Sequence, residues 1–298
     1  MQYVHSKKEL LRWGRTGAFL GRFPGAEMLT VVARTDPAVA AAVLPKPLRA
    51  PQEAVITAFV ARYPQTNFGV DYNEGALFVG AEYRGEQGLY CLAMPVDDDL
   101  AMLLGREVQG FPKKMADQIS LDRDGSRLIG SVVRHGVEIL HIEGDADKEI
   151  NPQPQWGARE VRDLQGQPAQ AITSFLFKYT PAAHGGMFAH LPQFVRQVTL
   201  VSAREGTIEG VQGAKIELAS SPVDPLGEIP AHDIISASYG TYDNTMLPGK
   251  VVRRVYNPLA FMPYAMFKND LFAHVDPNTL PDLTRAERRR QRRDLAKY

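Results

Sequence analysis

Apolar and polar positions along this chain fall mostly into short runs of β-forming residues rather than into long helical stripes. "EMLTVVARTD" (27–36), "AVITAFVARY" (54–63) and "GALFVGAEY" (75–83) are rich in Val, Ile, Thr and aromatics and predict strands. "RGEQG" (84–88) reads as a turn into a further strand, "LYCLAMPV" (89–96). "DQISLDRD", "SRLIGSVVR" and "VEILHIEGD", punctuated by Asp-Gly-Ser and His-Gly, predict an antiparallel meander over residues 117–145. Later strand candidates are "SFLFKYT", "FVRQVTLVSA", "AKIELAS", "DIISASYG" and "KVVRRVYN". Helical signals are few. Ser6 and Glu9 fit a capping box for a short helix closing near Gly14, and Asp36-Pro37 opens a helix that Pro45 stops. Asp97, Asp98 and Asp99 precede "LAMLL", where carboxylates suit a helix start better than they suggest a cation site.

Strands and helices do not alternate regularly, so a doubly wound parallel sheet is set aside in favour of an α+β chain around a large antiparallel sheet or barrel. The main domain is expected to end near residue 256. Beyond it lies an extension, 257–298, whose last stretch "TRAERRRQRRDLAKY" opens on a second capping box, Thr284 and Glu287. Seven basic and two acidic residues fall between Arg285 and Lys297. The segment lacks the interleaved aromatics of a single-strand nucleic-acid groove, so a solvated helix or a subunit-packing arm is expected.

Composition changes the picture little. Of 298 residues 44% are hydrophobic and 23% charged, and Lys plus Arg balances Asp plus Glu at 34 each, which gives no bias toward nucleic acid or anionic membranes. No apolar run approaches the roughly 18 residues that span a bilayer. Cys91 is the single cysteine, excluding an internal disulfide and the usual zinc cluster. It is expected as a small buried hydrophobe. These features predict a soluble, cytoplasmic protein without a membrane partner.

Several chemistries lack their motifs. There is no G-x-S-x-G elbow, P-loop or H-E-x-x-H helix. His184 and His190 are too far apart for adjacent helical turns, and no metal is expected. One segment stands out: "GREVQGFPKK" (105–114), where two lysines follow a rigid Phe-Pro turn. A neutral lysine amine attacks ketones to form a Schiff base. An unperturbed lysine, with pKa about 10.4, is neutral only about four times in ten thousand at pH 7, so a nucleophilic lysine needs a special environment. A neighbouring ammonium about 7 Å away supplies roughly 2.4 kcal/mol at an effective dielectric near 20, and adjacent side chains diverge. Desolvation must therefore carry much of the effect. Pro112 stiffens the approach and Phe111 offers an apolar wall, which favours Lys113 over Lys114 as the inward-facing amine.

"GREVQGFPKK" resembles the acetoacetate decarboxylase superfamily, whose members carry G-R-E…P-K-K with the first lysine as Schiff-base nucleophile. "VVARTDPAVAAAVLPKPL", "FGVDYNEGALF", "SFLFKYTP" and "SYGTYDNTMLPGKVV" resemble further family segments, so the likeness runs from about residue 18 to 256. It implies an α+β fold with a central β-barrel or cone and flanking helices, a homo-oligomer, and no cofactor beyond the substrate imine. By position, Lys113 corresponds to the nucleophile, Glu74 to a pocket carboxylate and Lys114 to a second lysine that modulates the pKa of the first. Two family features are missing: the arginine before the "RTD" segment, where Ala26 stands, and a second carboxylate on the strand "VITAFVARY". Arg22 is a candidate replacement for the arginine. Gln109, Tyr72 and Tyr242, with Glu74 and Lys113, are similar to the set in superfamily aldolase-dehydratases, which condense pyruvate with aldehydes. The resemblance therefore implies a Schiff-base lyase acting on a small oxo acid and an aldehyde. Decarboxylation of a β-keto acid is the alternative, and a barrel that binds a carbonyl or hydrophobic ligand without turnover is the alternative from another class.

Overall fold

The computed structural model describes residues 3–15, 20–150, 156–183, 188–265, 267–270 and 281–295. Among these residues fourteen strands form one sheet. They are β1 (Gly21–Arg34), β2 (Val55–Tyr63), β3 (Tyr72–Tyr83), β4 (Glu86–Val96), β5 (Lys113–Met115), β6 (Gln118–Asp124) and β7 (Arg127–Arg134). Then follow β8 (Val137–Asp147), β9 (Arg159–Arg162), β10 (Pro168–Lys178), β11 (Gln193–Ala203), β12 (Glu209–Leu218), β13 (Ile234–Met246) and β14 (Lys250–Arg254). The helices are α1 (Lys7–Arg15), α2 (Pro37–Val43), α3 (Asp99–Leu103), α4 (Pro258–Ala265) and α5 (Arg285–Leu295).

Strand order β11-β10-β4-β3-β2-β1-β13, with β13 pairing back onto β11, closes a seven-stranded ring. Closure pairs the edges that would otherwise be left open. The barrel is mixed rather than wholly antiparallel, because β10 runs parallel to β4. A parallel neighbour cannot be reached through a hairpin. Here residues 97–167 intervene, and they carry β5 and the β6–β7–β8 meander. That meander joins the ring through β12, which pairs with both β8 and β13.

The wall strands bury both faces, which is why they read as nearly continuous apolar runs. In β2, Phe59, Ala61 and Tyr63 belong to an inner cluster, while Ile56, Ala58 and Val60 join the larger outer core. β3 divides in the same way, with Ala76 and Phe78 inside and Leu77, Val79 and Ala81 outside.

The capping signals lie where the sequence put them. Ser6 with Glu9 and Thr284 with Glu287 exchange reciprocal bonds at α1 and α5, and the Asp36 carboxylate accepts from the Ala38 and Val39 amides. Asp98 caps α3, and Arg84 and Gly85 turn β3 into β4 with positive φ. Among the described residues no helix is long and apolar enough to cross a membrane.

Candidate active site

The lysine pair is delivered by a compact device. After α3 the chain widens into one π-helical turn, Leu104–Gln109, where Gly110 donates its amide to the Gly105 carbonyl at 2.9 Å. Gly110 then leaves in the left-handed region with φ 97°, against the backbone of Lys178, where only glycine fits without strain. Phe111 and Pro112 lead into β5, which pairs with the end of β4 in the register Met94↔Lys113. On the other side of β4, Glu74 of β3 lies opposite Val96. Both strands aim their side chains inward at the same height.

Lys113 Nζ lies 2.5 Å from Glu74 Oε2, and the two residues are each only 4% exposed. The pair is enclosed by phenols. Tyr72 donates to Glu74 Oε2 at 3.3 Å, and its hydroxyl is 3.5 Å from Lys113 Nζ. Tyr63 donates to Glu74 Oε1 at 3.5 Å. Burial, followed by the Glu74 charge, pushes both phenols well above their usual range, so they remain neutral donors. Burial alone raises Tyr242. The Lys113 stem runs across Gly105, where a Cβ would lie 2.5 Å from Cδ and 2.6 Å from Cε. Glycine at this point of "GRE" is thus required by the path of the lysine. Arg106 Nη1 meets the Lys113 carbonyl at 3.4 Å and holds the strand from behind.

The pair adjoins a barrel cavity of about 90 Å³ whose lining includes Glu74, Tyr63, Tyr72, Tyr242, Phe111 and Met94. Two further lining residues carry buried atoms, Thr57 Oγ1 and Asn244 Oδ1, that have no hydrogen-bond partner among the described residues. Such atoms are costly to leave unsatisfied and suit a polar ligand. Tyr63 and Tyr72 also line an outer cleft of about 630 Å³ with Arg62, Asp71 and Asp97, so these two residues border both the cavity and the cleft.

The structure therefore brings Glu74, Tyr72 and Tyr242 to one cavity, with Phe111 in its wall; Lys113 is not in the lining and meets the cavity through its contacts with Glu74 and Tyr72. Gln109 is not part of that lining. It is buried, with Oε1 unpartnered and directed at Gly249. Lys114 also faces away, because consecutive strand residues point to opposite sides. Its ammonium bonds Asp224 at 2.8 Å, Asp270 at 2.5 Å and the Val223 carbonyl at 2.9 Å. Arg134 bonds the same two aspartates. Two cations matched by two carboxylates leave little net field, which works against the expected pKa-modulating role for Lys114.

Arg22 is exposed on β1 and does not line the cavity, so it does not replace the missing arginine. Ala26 is buried in the inner cluster, and β2 places Ala61 opposite Glu74. Cys91 is buried, and burial followed by the Glu74 charge raises its thiol well above the usual range. His190 is exposed, and His184 lies outside the described residues. Tyr63, Thr57 and Asn244 were missed in the sequence. Alternation could have found them, because Tyr63 shares a β2 face with Phe59, and Asn244 lies two residues after Tyr242.

A closed β-barrel with the buried Lys113–Glu74 pair beside a cavity marks the class of fold and site. The family model for acetoacetate decarboxylase (ADC) matches residues 12–256, and the chain belongs to that family. Acetoacetate decarboxylase of Burkholderia vietnamiensis (strain G4 / LMG 22486) is 31% identical over 232 residues, covering 78% of this chain and 87% of the relative. The protein of that name from Ralstonia nicotianae (strain ATCC BAA-1114 / GMI1000) is 30% identical over 233 residues with the same coverage. Among solved structures, acetoacetate decarboxylase from Legionella pneumophila superposes with a TM-score of 0.65 at 24% identity, over 78% of this chain and 87% of that one. The enduracididine biosynthesis enzyme MppR complexed with pyruvate gives a TM-score of 0.59 at 17% identity, over 78% and 90% of the two chains. These two structural likenesses concern the fold.

Proposed function

We propose that the protein is a lysine Schiff-base lyase that turns a small 2-oxo acid into an enamine and condenses it with an aldehyde. The observation that carries this reading is the buried 2.5 Å contact between Lys113 Nζ and Glu74 Oε2 beside the barrel cavity. A proton passed from the ammonium to Glu74 leaves a neutral amine and a neutral acid with no change in total charge. The low-dielectric site tolerates that exchange far better than it would tolerate a lone charge.

The neutral amine adds to the C2 carbonyl, and Glu74 returns its proton to the departing hydroxyl, which leaves as water to give the protonated imine and the Glu74 carboxylate. Glu74 removes a proton from C3, and the electron pair moves toward the iminium nitrogen to form the enamine. Its C3 bonds to the aldehyde carbon, whose oxygen takes a proton from Glu74 or a neighbouring phenol. Loss of the C3 proton and of that hydroxyl as water gives a conjugated iminium, and hydrolysis releases an unsaturated oxo acid and free Lys113. Dehydration needs hydrogen-bond donors around the departing oxygen, and the neutral phenols of Tyr63, Tyr72 and Tyr242 supply them. The aldehyde enters past Tyr63 and Tyr72 from the outer cleft.

A second reading, decarboxylation of acetoacetate or another β-keto acid, is favoured by the name carried by relatives 30–31% identical. It uses the same imine: the bond to the carboxylate breaks, carbon dioxide leaves, and Glu74 returns a proton to carbon. Incubation with pyruvate and a panel of aldehydes, followed by mass spectrometry, should reveal unsaturated oxo acids. Carbon dioxide from acetoacetate without any condensation product would favour the decarboxylase. Neither product would leave a ligand-binding barrel.

A further inference from the structure

A second cavity, of about 340 Å³, lies outside the barrel wall and shares no lining residue with the first. Its walls include Val43, Tyr90, Leu226 and Ile229, and its roof is Tyr264, Phe267 and Lys268. The roof lies beyond residue 256, where the family match ends. It is held in place: Phe261 stacks on Phe177 with centroids 4.8 Å apart, and Tyr179 donates to the Ala265 carbonyl at 2.6 Å.

Lys268 is the unusual group. It is 5% exposed, and its Nζ lies 4.6 Å from the centroid of the Tyr179 ring. Among the described residues it has no hydrogen bond or ion pair. Burial, then the Arg106 charge, brings its pKa down to about 8; Glu107 opposes them, and Lys178 adds a smaller lowering. The other charged groups in the lining do not answer it. Lys114 and Asp224 are bonded to each other, and Glu228 is exposed. An ammonium buried with no bonded counter-ion among the described residues costs free energy that a bound anion would recover. The volume falls within the range of small-molecule sites, and apolar walls with one cation suit a monoanion with an apolar body.

We propose that this cavity binds an apolar monocarboxylic acid, its carboxylate on Lys268 and its hydrocarbon body between Leu226, Ile229 and Tyr90. The probe is octanoate, titrated calorimetrically into the full chain, with 1-octanol as the uncharged comparison. Octanoate should bind once per chain and more tightly than octanol, and Lys268→Met should weaken it at least about tenfold while leaving octanol unchanged. Leu226→Trp, which fills the cavity from the opposite wall and keeps the lysine, should abolish binding of both. It also decides the matter if the methionine variant does not fold. Equal octanoate affinity in wild type and either folded variant would overturn the proposal. So would loss of binding on Lys113→Ala, which would put the ligand in the barrel, or no binding at millimolar octanoate.

Discussion

Replacing Gly105 by alanine tests whether the lysine's position governs activity separately from the fold. The new methyl would lie 2.5 Å from Lys113 Cδ and 2.6 Å from Cε, and the next nearest atom is Cγ of the same side chain. Carbon atoms in ordinary contact stand about 3.5–4.0 Å apart, so the stem must retreat by roughly 1 Å. The three nearest atoms all belong to one flexible side chain, which takes up the strain. Overpacking costs about 1–3 kcal/mol, while alanine regains up to about 1 kcal/mol over glycine in a helical turn. The net loss of stability is about 0–3 kcal/mol. A reacting group displaced by about 1 Å can lose about 100-fold in rate. Gly105→Ala should therefore lower kcat about 100-fold on the better substrate while the melting temperature shifts by only a few degrees. A kcat within threefold of wild type, in a variant shown to be folded, would refute this account of why glycine occupies the position.

Glu74→Gln keeps the shape but removes the proton acceptor, and kcat should fall by about 10²–10⁴; wild-type turnover in this variant would reassign the base. Lys114→Met strips a partner from Asp224 and Asp270, and urea denaturation should show a loss of about 3 kcal/mol. Imine formation by the same variant should keep its pH profile, and a profile moved by a full pH unit would restore a modulating role for Lys114. Burial opposes ionisation of Asp270, but bonds from Lys114 and Arg134 win and hold its carboxyl below the usual range. Its contribution is therefore present above the unfolded aspartate value, about 3.9, and is lost as pH falls through the lower folded value. Amide exchange in residues 258–265 should accelerate across that window, and Asp270→Asn should already show the acceleration at pH 6. Unchanged protection in the variant would mean that the segment is held by its apolar contacts alone.

What the sequence disclosed was local or periodic. Ser6, Asp36 and Thr284 announce their caps within three or four residues, and the Asp-Gly and His-Gly turns mark the meander. Glu74 and Lys113 were found through a motif, but their contact spans 39 residues and depends on register across β4. Directions of side chains were harder to read. "PKK" does not disclose that Asp270, 156 residues later, receives the second lysine. Gln109 falls in a π-helical turn, whose wider spacing rotates it away from where a four-residue interval before Lys113 would place it. Tyr63 reads as an ordinary strand aromatic until β2 and β3 set it opposite Tyr72. The parallel β4–β10 join follows from ring closure, to which no single segment testifies.

The central claim is that the Lys113 amine, kept from water beside Glu74, attacks a substrate carbonyl. It is tested most directly by adding borohydride to the protein with pyruvate or acetoacetate and sequencing the modified peptide by mass spectrometry. The account predicts one reduced adduct per chain, on Lys113, lost on Lys113→Ala. An unmodified Lys113 in folded protein across a panel of carbonyl compounds, or an adduct that forms equally well without Lys113, would contradict it.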